Sequence, residues 1–533
     1  MGADSLPAEI WIQVFAATRQ WNKVSKFTTL PLYSTFTAIA STCSRFHDIV
    51  LPLLYEHAII RSDVGLDPKI QLVALPKQLN ANPECRKWIK SLAGYCTASK
   101  IQRGYDDASP RGKLVCTIIQ SMIPFLSSLE SIHLDYPQIS KELLTVIYNC
   151  PTLRTLSIHD PKFESGLIVP LGRLSKELER KSSLLHLRVT ASFPTGLDGS
   201  PLFFLRIPNL RRIVYTEYSF MAIPVSILFR RGLDLPWSEL RELKLSAMME
   251  LSGIGNLSAL CKVLAHAANL ESLVFDAMMW DMQGLSGSGP PPPASTVMPK
   301  LKEFYGPADI APALCEGKAI EKLGLIFHIQ PGDEKLEDLS SLDRLAGTLL
   351  HLTLGNMETD KVSELIKAYP LLQSLEILPS MTECQKDTVS AESDYIGQPR
   401  QEERSQLEHW VEDYLAPLMS GVPHLTRLVI RPFEGPGAIV ARRGLACSVD
   451  RSRSDPPDPG PAPDPAEPCI DEQAVLGKLL VPCPGLKDVV FPSLHRWTRY
   501  HPTYGWELVE RQCGKYDTED YPLPVSREDL KPW

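Results

Sequence analysis

"SLESIHL", residues 128–134, and "TLRTLSI", residues 152–158, are one phrase written twice: a leucine, two variable positions, an apolar residue, one variable position and another apolar residue. The phrase returns as "SLLHLRV" (183–189), "NLRRIVY" (209–215), "ELRELKL" (239–245), "NLESLVF" (269–275), "KLKEFYG" (300–306) and "AIEKLGL" (319–325). It continues as "TLLHLTL" (348–354), "LLQSLEI" (371–377), "HLTRLVI" (424–430) and "GLKDVVF" (485–491). The leading residues stand roughly 20 to 31 positions apart up to residue 377, and insertions then stretch the interval to about twice that. Alternation of the last apolar pair predicts a half-buried strand, with the leading leucine turning inward just before it. Between the phrases, "KELLTVIYNCP" (Leu143, Leu144, Ile147), "LSALCKVLAHAAN" (Leu257, Leu260, Leu264) and "KVSELIKAYP" (Val362, Leu365, Ile366) carry apolar residues at helical spacing. No single strand-helix unit covers its own apolar face, so the units are predicted to stack into a curved solenoid.

The series resembles leucine-rich repeats of the divergent kind, over residues 125–495. The resemblance implies an α/β solenoid with parallel strands on the concave face and helices on the convex face. Where that family usually places asparagine or cysteine after the strand, "HLDYPQIS" and "SIHDPKFES" carry Asp135 and Asp160. A conventional α/β domain with a parallel sheet is the alternative, disfavoured because its strands read as longer unbroken apolar runs.

Upstream, "LPAEIWIQVF" (6–15) places Pro7 at a helix start and Glu9 where the helix dipole favours negative charge. Ile10, Trp11, Val14 and Phe15 then form one broad apolar stripe. A second helical pattern runs through "STFTAIASTCSRFHDIV" (Phe36, Ile39, Cys43, Phe46), and a third through "LPLLYEHAII" (Leu51, Leu54, Tyr55, Ile59). Three helices of this size leave much of their surface uncovered, so a second surface is expected on them. These residues resemble the F-box, and with the repeats they are similar to fungal F-box substrate receptors. That likeness implies a short three-helix F-box followed by the solenoid, in the substrate-receptor subunit of a Skp-cullin-F-box ubiquitin ligase. It further implies that Leu6, Pro7, Ile10, Trp11, Val14 and Phe15, with Leu51, Leu54 and Tyr55, dock a Skp-type adaptor and through it a cullin-RING ligase. The docking residues are then expected to lie uncovered in the chain alone. The stretch from Thr18 to Ser34 is longer than the usual link between the first two F-box helices. The expected division is an F-box-like domain at 1–60, a helical linker or first cap at 61–124, the solenoid at 125–495 and an aromatic cap or tail at 496–533.

Composition narrows the rest. The 533 residues carry a net charge of -8, and no lysine or arginine block dominates a segment, so nucleic acid and anionic membranes are poor expected partners. The 12 cysteines are scattered and no secretory pattern opens the chain, so reduced thiols and a cytoplasmic or nuclear location are expected. The Pro-rich runs "SGSGPPPPAS" and "DPPDPGPAPDPAEP" mark disordered insertions near 282–296 and 434–470. No Gly-x-Ser-x-Gly elbow, His-Glu-x-x-His pair or phosphate loop occurs, so the expectation is a non-enzyme with no cofactor and no metal. His133, His159 and His351 lie in or beside strand phrases and are expected to be partly buried. Arg154, Arg188, Arg211 and Arg427 are expected chiefly to solvate the solenoid face, an acidic or phosphorylated target being the alternative they allow. Trp497, Tyr500, Tyr504 and Trp506 are expected to cap the last repeat, with a substrate pocket as the alternative. The rival function is a repeat scaffold or sensor with no ligase connection.

Overall fold

The computed structural model describes residues 7–17, 21–23, 29–31, 33–62, 77, 79–96, 108–164, 182–191, 207–217, 236–247, 257–277, 297–308, 310–327, 342, 344–345, 347–357, 365–379, 419, 422–430, 472–491, 495–499 and 506–511. Leu6, Tyr500, Tyr504 and both Pro-rich runs lie outside the described residues. The chain divides into two compact units, Met1–Tyr218 with Gly514–Trp533, and Ser219–Cys513.

The first unit opens with helix α1 (Ala8–Ala17), an antiparallel pair β1 (Trp21–Lys23) and β2 (Thr29–Pro31), and helices α2 (Tyr33–Ala40) and α3 (Ser44–Tyr55). The extra residues noted between the first two helices thus include a small hairpin. The second helical pattern is in fact two helices. Ser41 and Thr42 turn their hydroxyls back onto the carbonyls of Ala38 and Ile39 and close α2, while the Cys43 sulfur accepts the Phe46 N–H at 3.5 Å and caps α3. The third pattern is corrected likewise: Leu51–Tyr55 ends α3, and the β-branched pair Ile59–Ile60 belongs to strand β3 (His57–Ser62).

From β3 the unit becomes a parallel ladder: β3, β4 (Ser91–Cys96), β5 (Ser131–Asp135), β7 (Thr155–His159), β9 (His186–Ala191) and β10 (Arg212–Glu217). The segment expected as a helical linker therefore contributes a strand, β4, as well as helix α4 (Ala108–Met122). Two-residue strands β6 (Gln138–Ile139) and β8 (Lys162–Phe163) pair beside it, joining the matching turns "DYPQI" and "HDPKF" of successive repeats. Helix α5 (Lys141–Tyr148) lies between them in sequence, capped by the Ser140 hydroxyl accepting the Leu143 N–H at 3.1 Å.

The second unit repeats the scheme with parallel strands β11 (Glu242–Ala247), β12 (Ser272–Ala277), β13 (Glu303–Pro307), β14 (Lys322–Ile326), β15 (His351–Met357), β16 (Ser374–Pro379), β17 (Arg427–Ile430) and β18 (Asp488–Val490). Helices α6 (Leu257–Leu264), α7 (Ala311–Cys315) and α8 (Glu472–Leu480) stand in the connections. The antiparallel strands β19 (His495–Thr498) and β20 (Glu507–Arg511) end it.

Every leading residue of the phrase, from Leu129 to Leu486, is at most 2% exposed. Each such side chain contributes about 1.5–3 kcal/mol of burial, and the column recurs at each repeat. The backbone repeats with it. Within the first unit two successive N–H groups at the strand starts donate to one carbonyl of the preceding repeat: Glu130 and Ser131 to Lys90, Arg154 and Thr155 to Glu130, Leu185 and His186 to Arg154. In the second unit Glu271 and Ser272 do so to Arg241, and the pattern runs on to Lys487 and Asp488 on Thr426. Sequence period and hydrogen-bond period therefore coincide. This is an α/β architecture of large, mostly parallel sheet with flanking helices, compatible with a repeat solenoid.

Candidate functional site

At about 100° per residue, the apolar positions of α1 divide into two sets. Trp11 and Phe15 face inward. Their rings stack with centroids 5.4 Å apart, and Phe46 of α3 meets both edge-on at 5.0 and 5.4 Å. Phe15, Phe36, Ile49 and Val50 form the buried cluster, with Trp11, Ile39, Leu53 and Leu54 packed against it. Phe15 is only 5% exposed, so the expectation that it docks a partner is corrected: its ring belongs to the core of the three helices.

Ile10 and Val14 are 41% and 42% exposed, and Ile12, on the opposite flank, is 41% exposed. Pro7 is exposed too, and its carbonyl accepts the Ile10 and Trp11 N–H groups at the helix start. Leu51, Leu54 and Tyr55 are half-buried. Tyr55 reaches Trp88 at 6.2 Å between centroids, and the Lys90 and Ser91 N–H groups donate to the Glu56 carbonyl, so α3 runs directly into the ladder. The structure thus brings Ile10, Val14 and Pro7 together on one side of α1. Ile12, exposed on the other flank, was missed because stripe counting took only positions spaced by four.

A second surface is the face of the ladder opposite the leucine column, apolar at β3 and β4, where Ile59, Ala93 and Tyr95 pack together, and polar along β5, β7 and β9. In the first unit the strand register sets His57, Ser91, Ser131, Thr155, His186 and Arg212 in one row. Two residues further along, Ile59, Ala93, His133, Ser157, Arg188 and Val214 form the next. Burial, then the nearby charges of His57 and Arg188, push the His133 imidazole down to about 4. Burial, then Arg212 and Arg211, lower His186 as well. A third row places Asp135 beside His159, both buried, with His159 Nε2 3.3 Å from Asp160 Oδ2. Tyr136 and Asp160 hold positive φ there, at 52° and 48°.

The four arginines singled out in the sequence fare differently. Arg154 donates to the Ser183 carbonyl at 3.0 Å. Arg427 lies 3.4 Å from Asp488, which Arg496 also clamps through two hydrogen bonds of 2.9 and 3.2 Å. Arg211 is exposed ahead of its strand. Arg188 is half-buried on the polar face, its Nε enclosed and making no hydrogen bond.

Buried thiols in the second unit are poor nucleophiles. Burial pushes Cys315 up to about 12 and Cys483 up to about 11, and raises Cys261. Lys318, held down by burial, donates to the Leu314 carbonyl at the end of α7. Among the described residues no group of three or more His, Cys, Asp or Glu side chains is placed to hold a metal, and no helix is long and apolar enough to cross a membrane.

No family model and no curated protein matches the sequence. Among solved structures, the chain is similar to the crystal structure of a TLR13–ssRNA13 complex, with a TM-score of 0.20 and 11% identity over 66% of this chain and 59% of that chain. The match spans less than two thirds of that chain's length. The repeat reading rests on the register of the ladder and not on this likeness.

Proposed function

We propose that the chain is a non-enzymatic substrate receptor of a Skp-cullin-F-box ubiquitin ligase, located in the cytoplasm or nucleus. Helices α1–α3 hold a Skp-type adaptor, and the repeats hold a target protein. The supporting observation is the outward set on α1: Ile10 and Val14 stay exposed on a helix whose aromatic half is already committed to the chain's own core. The docking surface in this reading comprises Pro7, Ile10 and Val14 with the half-buried Leu51, Leu54 and Tyr55, Leu6 lying outside the described residues. Phe15 acts from inside by holding α1 on α3. Binding positions the target and no bond is made by this chain.

The test is co-purification with a Skp-type adaptor. Ile10→Asp with Val14→Asp is expected to abolish capture while the far-UV circular dichroism and melting temperature stay unchanged, because neither side chain is buried. Full capture by that double variant refutes the docking face. The scaffold reading, with the helices as cap and no ligase connection, draws support from the way α3 continues into β3 and Tyr55 meets Trp88. It predicts no adaptor capture by the unaltered chain.

A further inference from the structure

Among the described residues the sheet of the second unit ends at β20, which pairs with β19 on one edge and with no strand on the other. A free strand edge offers a row of N–H and C=O groups to another strand. The start of β20 is held in place. Arg499, 9% exposed, donates to the Pro484 carbonyl, and its guanidinium carbon lies 5.7 Å from the centre of the Trp506 ring just ahead of the strand. The apolar line behind the sheet stops here as well. Val489 of β18 stands opposite Trp497 of β19, and Trp497 opposite Leu508 of β20. Exposure climbs along that line from 0% to 9% to 46%, so it ends half open at Leu508.

The strand's own sequence, Glu507-Leu508-Val509-Glu510-Arg511, complements its reverse. When two copies pair antiparallel about Val509, every one of the five residues has a counterpart: 507 stands opposite 511, 508 opposite 510, and 509 opposite itself. A glutamate position then meets an arginine position at both ends of the pair. Opposite charges directly across an antiparallel pair stabilise it, and like charges do the reverse. A slip of one residue that sets Glu507 opposite Glu510 of the second copy is therefore disfavoured, and any slip leaves residues unmatched. In the full register Leu508 of each copy stands diagonal to Leu508 of the other, within reach across the axis.

We propose that β20 is a self-association edge, on which a second copy of this chain adds its own β20 antiparallel about a twofold axis through Val509. The contact is isologous: the same five residues serve both sides, and each charge match occurs twice. Main-chain hydrogen bonds hold the two strands together, and the Glu507 and Arg511 positions set the register. Five residues span about 17 Å. Such a contact is smaller than the roughly 1,200 Å² at which stable complexes begin, so the dimer is reversible and depends on concentration. The inference is independent of the ligase reading, since neither the helices α1–α3 nor the polar strand face enters it.

The experiment follows the full chain by sedimentation velocity over a hundredfold range of concentration, with amide exchange of residues 507–511 read at both ends of the range. The unaltered chain is expected to pass from monomer to dimer, and its 507–511 amides to exchange more slowly in the concentrated sample. Glu507→Arg and Arg511→Glu each set like charges opposite one another at both ends of the pair, and each is expected to weaken the dimer at least tenfold. Mixed in equal amounts, the two variants are expected to form a mixed dimer, because each then meets the opposite charge in the other. The chain carrying both changes is expected to pair with itself again. These rescues separate a lost contact from a lost fold. A chain that stays monomeric throughout the range, a dimer that both single variants keep, or a mixture of the two that stays monomeric overturns the proposal. So does a dimer whose 507–511 amides exchange at the monomer rate, which would put the contact elsewhere on the chain.

Discussion

Trp11 and Phe15 lie one helical turn apart and both turn toward α3, so each ring is held by the other and by Phe46. Removing the deeper ring leaves a cavity among Phe36, Ile49 and Val50. Phe15→Ala is therefore expected to destabilise the three-helix cluster by about 3–5 kcal/mol, visible as early proteolysis near residues 8–55 with the ladder still protected. A loss under 1 kcal/mol would return Phe15 to the surface. His133 makes the second residue-scale prediction. Its folded-state value of about 4 lies below the ordinary 6.5, so the folded chain holds the neutral form. Between those values the unfolded chain binds the extra proton, and stability falls as pH drops from about 6.5 to 4 by roughly 2–3 kcal/mol. His186 and His351, both lowered chiefly by burial, add in the same direction. Urea melts at pH 7 and pH 4.5 check this, and His133→Gln is expected to flatten the difference. Residue identity alone made the apolar stripe of α1 legible, but not its division. Period fixes which side chains share a face, and only the position of α3 decides which half is covered.

At the scale of elements, the phrase announced its strands wherever leucine filled the inward positions, and hid them where smaller residues did. Strands β3 and β4 keep the register, with Ala58 and Ile60, then Leu92 and Gly94, at the inward places. Ala and Gly carry little strand signal, so these two segments read as helix and linker. Gly94 has a packing reason. A Cβ built there would lie 2.5 Å from Ile119 Cδ1 and 2.8 Å from Val115 Cγ1, so α4 approaches the strand too closely for a side chain. Gly94→Val is expected to cost about 1–3 kcal/mol or more by forcing α4 outward, and a thermal melt equal to the parent would show that the helix yields freely. The second unit is closed differently at its last strands. Strand β19 runs antiparallel to β18, and Arg496 spans back to Asp488 with two hydrogen bonds while Trp497 is 9% exposed. The reversal of strand direction at β19 was not legible, because pairing sense does not follow from residue type.

For the whole molecule, stacking makes stability a matter of neighbours. Within each unit, successive repeats give two strand-start N–H groups to the carbonyl of the one before and bury their leucines together, so a defect is felt first by the strands on either side. Leu156 on β7 is fully buried, and β7 pairs with β5 and β9. Leu156→Ala is expected to lose about 2–5 kcal/mol locally. Amide exchange read by mass spectrometry is expected to quicken most in 131–135, 155–159 and 186–191, and to leave 322–326, 351–357 and 374–379 in the other unit near parental rates. If protection falls equally across both units, folding is all-or-none and the neighbour argument fails. In the proposed receptor the same logic bears on how a target is held. Rows of polar residues in fixed register on stacked strands give a surface whose spacing is set by backbone hydrogen bonds, so binding residues can vary from repeat to repeat without disturbing the leucine column behind them.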